Sequence, residues 1–223
     1  MPAYYNEHDP KAAAWLRELI RNGLIADGFV DERSIEDITP ADLAGYTQCH
    51  FFAGIGGWSY ALRLAGWPDV RPVWTGSCPC TTHSSAARGA NKERDWWPCW
   101  ARLISASKPG TVFGEQVANT AHWFDGVCDD MEAMGYAVGA AVLPACSVGK
   151  DHKRERLYFV GHSDEHGKPS RTINAKTSGM CRHDRDPREL VLSDGFPHRM
   201  AYSGFGNAIV PQVAAEFIKA VMS

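Results

Sequence analysis

Cys80, Glu115 and the pair Arg154 and Arg156 are the side chains whose type and placement could do chemistry together. Cys80 follows Pro79 at the end of the apolar run that starts at Val73. Proline removes a backbone donor and stiffens the loop. A cysteine attacks only as its thiolate, which cationic groups or a helix N-terminus favour. The chemistry on offer is covalent catalysis by sulfur, against the default of a buried structural cysteine. Glu115 closes the run Thr111-Val112-Phe113 and could equally cap a helix, and the two arginines could be a solvated strand edge. Phe52-Ala53-Gly54-Ile55-Gly56-Gly57 is a glycine-rich turn of the kind that lets backbone approach a nucleotide-type ligand. A tight turn without a ligand explains such glycines about as often. Cys78, Cys80 and His83 offer half a metal clip with no second cluster, so no metal site is expected. A zinc nucleobase deaminase needs His-x-Glu and Pro-Cys-x-x-Cys; Thr81, Thr82 and His83 after Cys80 exclude it.

The elements that must carry these residues alternate between strand and helix. Cys49–Phe52, Val73–Thr75, Thr111–Phe113, Tyr136–Leu143 and Leu157–Val160 read as strands. Ala12–Arg21 is amphipathic, with Trp15, Leu16, Leu19 and Ile20 on one face and Pro10 before its first turn. Thr39 caps a helix start at Pro40-Ala41-Asp42. Trp58–Ala65, Trp96–Ala106, Phe124–Met134 and Pro211–Val221 complete the helices. This pattern predicts an α/β sheet with helices on both faces and chemistry at the carboxyl ends of its strands. Three strands end on a glycine-rich turn, a Pro-Cys pair and a glutamate, and that coincidence outweighs any one of them.

Length and charge set bounds. A chain of 223 residues fits one domain or one with a small appendage. No stretch is long and apolar enough for a membrane span and none opens as a secretory signal, so a cytoplasmic protein is expected. Seven cysteines at scattered positions do not read as a disulfide framework. Residues 1–47 carry four Lys or Arg against nine acidic residues, whereas residues 150–199 carry eleven against eight, with five histidines. The late segment permits a nucleic-acid face, although charge alone would favour a solvated surface.

Six segments in order resemble the motifs of cytosine-5 DNA methyltransferases. They are Phe52–Gly57, Gly76-Ser77-Cys78-Pro79-Cys80, Gly114-Glu115-Gln116-Val117, Lys153–Gly161, Arg188-Glu189-Leu190 with Gly195-Phe196-Pro197, and Gly206–Val213. The family's ribose-binding and adenine-binding motifs normally come after the first motif, and here only Trp58–Thr75 lies before the nucleophile motif. Tyr5–Pro10 with the helix after it is similar to the acidic motif, and Val30–Ile38 with Pro40–Leu43 to the adenine motif. The resemblance therefore implies a Rossmann-like S-adenosylmethionine-dependent sheet with strands two and three permuted to the N-terminus. The catalytic domain would comprise residues 1–160 and 188–223, with a reduced target recognition segment at 161–187.

The resemblance also implies roles. Cys80 attacks C6 of cytosine, Glu115 holds the N3–N4 edge, Arg156 grips O2 and Arg154 supports the pocket. S-adenosylmethionine lies over Phe52, Ala53, Gly54 and Gly56. Glu7 binds the ribose, His8 stacks on the adenine, and Ser34-Ile35 flank its edge with Asp37 as the competing assignment. Asn207 lies near the cofactor and the catalytic loop. DNA is the expected partner, contacted through Ser84, Arg171, Lys176 and Arg182, with the base flipped out and a partner subunit for specificity left open. Departures from the pattern are Thr81 to Ser84 after the nucleophile, His50 at a commonly acidic position, Gln116 for Asn and His152 for Gln. The altered loop and short recognition segment leave two alternatives: a weak or inactive DNA-binding relative, and an RNA cytosine-5 methyltransferase. A compact enzyme of this kind would suit a phage.

Overall fold

A computed structural model describes residues 2–79, 95–118, 120–150, 154–163 and 208–223. Seven strands form one sheet: β1 (Ala3–Asn6), β2 (Gly28–Asp31), β3 (Gln48–Phe51), β4 (Val73–Gly76), β5 (Thr111–Val117), β6 (Tyr136–Pro144) and β7 (Glu155–Ser163). Their spatial order is β2-β1-β3-β4-β5-β7-β6. The first five run parallel, while β7 is antiparallel to both β5 and β6. The two N-terminal strands thus stand on the outer side of β3, and β3 pairs directly with β4. The helices are α1 (Pro10–Arg21), α2 (Gly57–Ala65), α3 (Trp97–Ser107), α4 (Ala121–Ala133) and α5 (Pro211–Met222).

Alternation along each strand sorts the core into two layers. Tyr4, Cys49, Phe51, Trp74 and Phe159 point to the face covered by α3 and α4, where Trp97, Trp100, Leu103, Val127 and Met131 meet them. Val73, Phe113, Tyr158 and Val160 point to the other face, under Trp58, Ala61 and Leu62 of α2 and Val213, Phe217 and Ile218 of α5. On that second face α1 lays Ala13 and Leu16 over Ala3, Tyr5 and Val30. Each large side chain so buried contributes roughly 1.5–3 kcal/mol.

Local chemistry explains the element ends. Asp9 caps α1, its Oδ1 accepting from the backbone N–H of Lys11 at 2.7 Å and of Ala12 at 3.2 Å, and Pro10 occupies the first turn, so α1 starts two residues before the expected Ala12. The helix expected at Thr39 is only a single 3-10 turn, Pro40–Leu43. The Asp42 carboxylate accepts from the Thr39 N–H and hydroxyl, at 2.8 and 2.6 Å, and Gly45 at φ 87° turns the chain into β3. Strand β7 continues three residues past Val160, to Ser163, with Gly161 opposite Val112 and His162 opposite Thr111. The segment 164–187, the core of the expected recognition region, lies outside the described residues.

His50 takes the commonly acidic position as a neutral core residue. Burial pushes its imidazole down to about 3. Nδ1 pairs with the Thr75 hydroxyl at 2.8 Å, Nε2 with the Gln48 amide oxygen at 3.3 Å, and the ring stacks on Tyr5 at 4.8 Å.

Candidate active site and cofactor cradle

The carboxyl ends of β1, β3, β4 and β5 bring the candidate residues to one edge of the sheet. After β3 the chain turns sharply: Phe52 at φ 49°, Gly54 at 54° and Gly56 at 83° are all left-handed. Such a conformation in a non-glycine residue stores strain and recurs at ligand sites. The Ala53 N–H donates to the Asn6 carbonyl at 3.0 Å, tying the turn to β1. Among the described residues, a Cβ on Gly54 would meet only the Phe52 carbonyl, at 4.0 Å, so none of them covers the backbone there. A Cβ on Gly56 would press on Leu16, Leu19 and Ile25, which shows the turn seated on α1.

Glu7 braces this turn. Its Oε2 accepts from the Gly54 N–H at 2.6 Å and its Oε1 from the Asp9 N–H at 2.8 Å. His8 beside it is exposed, its Nδ1 within 3.0 Å of the Glu32 carbonyl. Ser34 caps the short turn Ile35–Asp37, and Ile35 buries its side chain in the core beneath α3. The Arg102 guanidinium of α3 reaches the carbonyls of Ile35, Glu36 and Ile38 at 3.5, 3.4 and 2.9 Å. The residues thus present an acidic group at a strand end, backbone at Gly54 that no described residue covers, and a held second loop. That combination fits a nucleoside carrying ribose hydroxyls.

The catalytic side is built on β4, β5 and β7. Glu115 is buried, with its Oε1 3.0 Å from Arg156 Nε. Burial pushes its carboxyl up, while Arg156, a hydrogen bond from Ser77 and Arg154 pull it back without cancelling the rise. Arg156 in β7 and Arg154 just before it both act on the Glu115 carboxyl, while Glu155 between them is exposed. The guanidinium of Arg154 is lowered from its ordinary value, first by burial and then by Arg156. Its Nη2 donates to the Ala208 carbonyl at 2.6 Å, and Ile209 packs where a Cβ on Gly57 would come within 2.8 Å. The last motif is thereby joined to both the arginine strand and the glycine-rich turn.

Cys80, Ser84, Arg171, Lys176, Arg182 and Asn207 lie outside the described residues. The chain leading to Cys80 is described as far as Pro79. Cys78 is buried among Trp97, Trp100 and Phe159, and burial pushes its thiol well above the ordinary range, so it stays protonated. The Cys78 carbonyl accepts from the Gln116 amide at 3.2 Å, so the residue in place of the usual Asn holds the chain two residues before Cys80. Sequence reasoning missed Arg102, Trp58 and Ser77. Trp58 Nε1 donates to Ser77 Oγ at 3.0 Å, a contact between segments that no spacing rule connects. Among the described residues no group of His, Cys, Asp and Glu could hold a metal ion, and no helix is long and apolar enough to cross a membrane.

Comparison with known proteins points the same way. No curated protein matches the chain in sequence. Among solved structures, a DNMT2 mutant from Spodoptera frugiperda aligns over 78% of this chain and 45% of its own at 10% identity, with a TM-score of 0.50. The Dnmt2 methyltransferase of S. pombe aligns over 85% and 60% at 12% identity and a TM-score of 0.43. A DNA modification methyltransferase, so described and encoded within an E. coli prophage, aligns over 78% and 53% at 12% identity, also at 0.43. The first shows a shared fold, and the chain spans roughly half the length of these structures. The family model for C-5 cytosine-specific DNA methylases matches residues 72–183, from the start of β4 to beyond β7. S-adenosylmethionine is the cofactor that goes with this match, and the braced Glu7 and the Gly54 turn fit it. With half of its 223 residues matched by that model and the sheet that positions them in place, the chain belongs to the C-5 cytosine-specific DNA methylase family.

Proposed function

We propose that this protein transfers a methyl group from S-adenosylmethionine to C5 of cytosine in DNA, with Cys80 as nucleophile. The observation that carries the reading is the buried Glu115 carboxylate, held by Arg156 at 3.0 Å beside the strand that leads to Cys80. A carboxyl pushed up by burial sits between its two protonation states nearer neutrality, which suits a group sharing a proton with N3 of the base. In the reaction the Cys80 thiolate adds to C6, and the electron pair of the C5–C6 bond moves to C5. The cofactor supplies the methyl group that C5 takes up. Loss of the C5 proton to a base then expels the thiolate and restores the ring. Arg156 holds O2 with a fixed, permanently charged donor and Arg154 supports the same pocket, and the base reaches them flipped out of the duplex.

The cofactor half is read as permuted: Glu7, His8, Ser34 and Ile35, which precede the glycine-rich turn in sequence, contact the ribose and adenine. The placement of β1 and β2 outside β3 supports this, because it brings the end of β1 against the turn of Gly54.

The test is bisulfite sequencing of duplex DNA incubated with the protein and S-adenosylmethionine, in parallel with single strands and RNA. Cytosines protected from conversion in duplex DNA are expected, together with a covalent adduct on DNA containing 5-fluorocytosine. Protection of RNA alone would reassign the substrate. Binding to DNA without adduct or methylation would make the protein a non-catalytic relative.

A further inference from the structure

Ser77 directly follows β4 and lies next to Glu115 on β5, because the register sets Gly76 opposite Gly114 in these parallel strands. Among the described residues its hydroxyl has two polar neighbours. On one side is the Trp58 indole, 3.0 Å away, and on the other is the Glu115 carboxylate. An indole N–H can only donate, and a carboxylate can only accept. Ser77 Oγ must therefore accept from Trp58, and its single proton is left for Glu115. The arrangement has one sense and cannot reverse while Glu115 is ionised. Trp58 is itself locked: its ring stacks on Phe113 at 6.1 Å and meets the edge of Tyr158 at 6.2 Å. Trp58 also opens α2 directly after the glycine-rich turn, so the relay ties the cofactor turn to the group that faces the base.

We propose that Trp58 is a positioning residue for Glu115: by donating to Ser77 it commits the Ser77 hydroxyl proton to the carboxylate and fixes the carboxylate's orientation. The inference rests on the reading of Glu115 as the residue that meets the cytosine edge, but its geometry can be tested without substrate. Ser77 is one of the groups that pull the Glu115 carboxyl back down against burial. Removing the relay removes that pull, and Glu115 binds its proton more tightly.

The experiment is a carbon NMR titration of the Glu115 carboxyl in protein labelled at glutamate, assigned with Glu115→Gln. The Trp58 indole proton is followed in the same samples. Ser77→Ala is expected to raise the proton affinity of Glu115 about tenfold and Trp58→Phe about threefold, in line with the loss of one charge-assisted hydrogen bond and of its polarising partner. Ser77→Thr, which keeps a hydroxyl, restores the wild-type titration. In Ser77→Ala/Trp58→Phe the shift equals that of Ser77→Ala alone. In wild-type protein the indole resonance follows pH with the Glu115 midpoint, and in Ser77→Ala it does not; this arm holds even if Trp58→Phe fails to fold. A wild-type midpoint in Trp58→Phe, additive shifts, or an indole that ignores Glu115 overturns the proposal. A relay that titrates as expected in a protein without methyl transfer leaves it standing and sinks the function instead.

Discussion

Replacing Glu7 by Gln keeps the shape of the side chain and tests the whole cofactor side of the molecule. A carboxylate offers about four lone-pair positions. Two are occupied by the N–H groups of Gly54 and Asp9, at 2.6 and 2.8 Å, which leaves about two for a pair of ribose hydroxyls. An amide has one oxygen and one NH2. Whichever way the amide is turned, its NH2 faces a backbone N–H that it cannot satisfy, and one ribose hydroxyl loses its acceptor. A hydrogen bond to a charged group is worth roughly 1.5–3 kcal/mol, which corresponds to a loss of about 10- to 150-fold in affinity. Glu7→Gln should therefore weaken S-adenosylmethionine and S-adenosylhomocysteine alike by at least about tenfold, nearly as much as Glu7→Ala. Isothermal titration calorimetry reads this directly, with a thermal melt to verify that the variant folds. An affinity of Glu7→Gln within about twofold of wild type, well under the 1.4 kcal/mol of a tenfold change, would refute both the role of Glu7 and the permuted reading that assigns it.

Three further outcomes are expected. Cys80→Ser abolishes methyl transfer with cofactor affinity unchanged, whereas Cys78→Ala retains activity and loses about 1 kcal/mol of stability in urea titrations, as its thiol is buried and protonated; the reverse pattern would mean that the nucleophile has been misassigned. Gly114→Ala puts a Cβ 2.0 Å from the Phe159 ring, itself wedged against Trp97 and Phe124, and should cost about 1–3 kcal/mol by overpacking; a change below about 0.5 kcal/mol, the usual limit for a harmless surface substitution, counts against the tight β5–β7 packing. The Asp31 carboxyl is pushed up by burial but pulled lower on balance by Arg33 and by the Tyr4 hydroxyl at 2.8 Å. Its stabilising effect is then present above its unfolded pKa and fades as pH falls through the lower folded value, so Asp31→Asn should destabilise the protein by about 1–2 kcal/mol at neutral pH and progressively less below about pH 4; a difference that stays constant into acid would remove the charge from the explanation.

The sequence and the structure agree where periodicity speaks. Short apolar runs located β3, β4 and β5 because strands buried on both faces carry no alternation to confuse with a helix. Strand β1 was reachable only through the family resemblance of Tyr5–Pro10, since Ala3-Tyr4-Tyr5-Asn6 has neither length nor pattern. Its tyrosines are buried because each hydroxyl has a specific distant partner, Asp31 for Tyr4 and the Ala26 carbonyl for Tyr5. The helix expected from Thr39 failed because Asp42 closes a tight local loop rather than starting a longer one. Glu7, Gly54, Glu115 and Arg156 could be proposed from the sequence because their spacing resembles a family pattern, and the fold brings Glu7 to Gly54 and Arg156 to Glu115. Trp58, Ser77 and Arg102 could not be proposed in that way. Each acts across a strand crossing or between helices, and the direction of a side chain in space leaves no mark on residue spacing.

The placement of β1 and β2 ahead of β3 also bears on how the molecule is made. Glu7, His8, Ser34, Ile35, Phe52, Ala53, Gly54 and Gly56 all fall within the first 56 residues. One cluster of the packing beneath them, from Ala3 through Leu16 and Ile25 to Ala53, is drawn from that same stretch, whereas Ile35 packs against α3. Chains fold from the N-terminus as they leave the ribosome, a few to a few tens of residues each second. The three-stranded unit β2-β1-β3 with α1 therefore emerges with its own wedge of core before Cys80 or Glu115 has been translated. In a nascent chain the residues proposed to hold the cofactor are thus translated as one continuous stretch, ahead of the residues proposed to carry the chemistry.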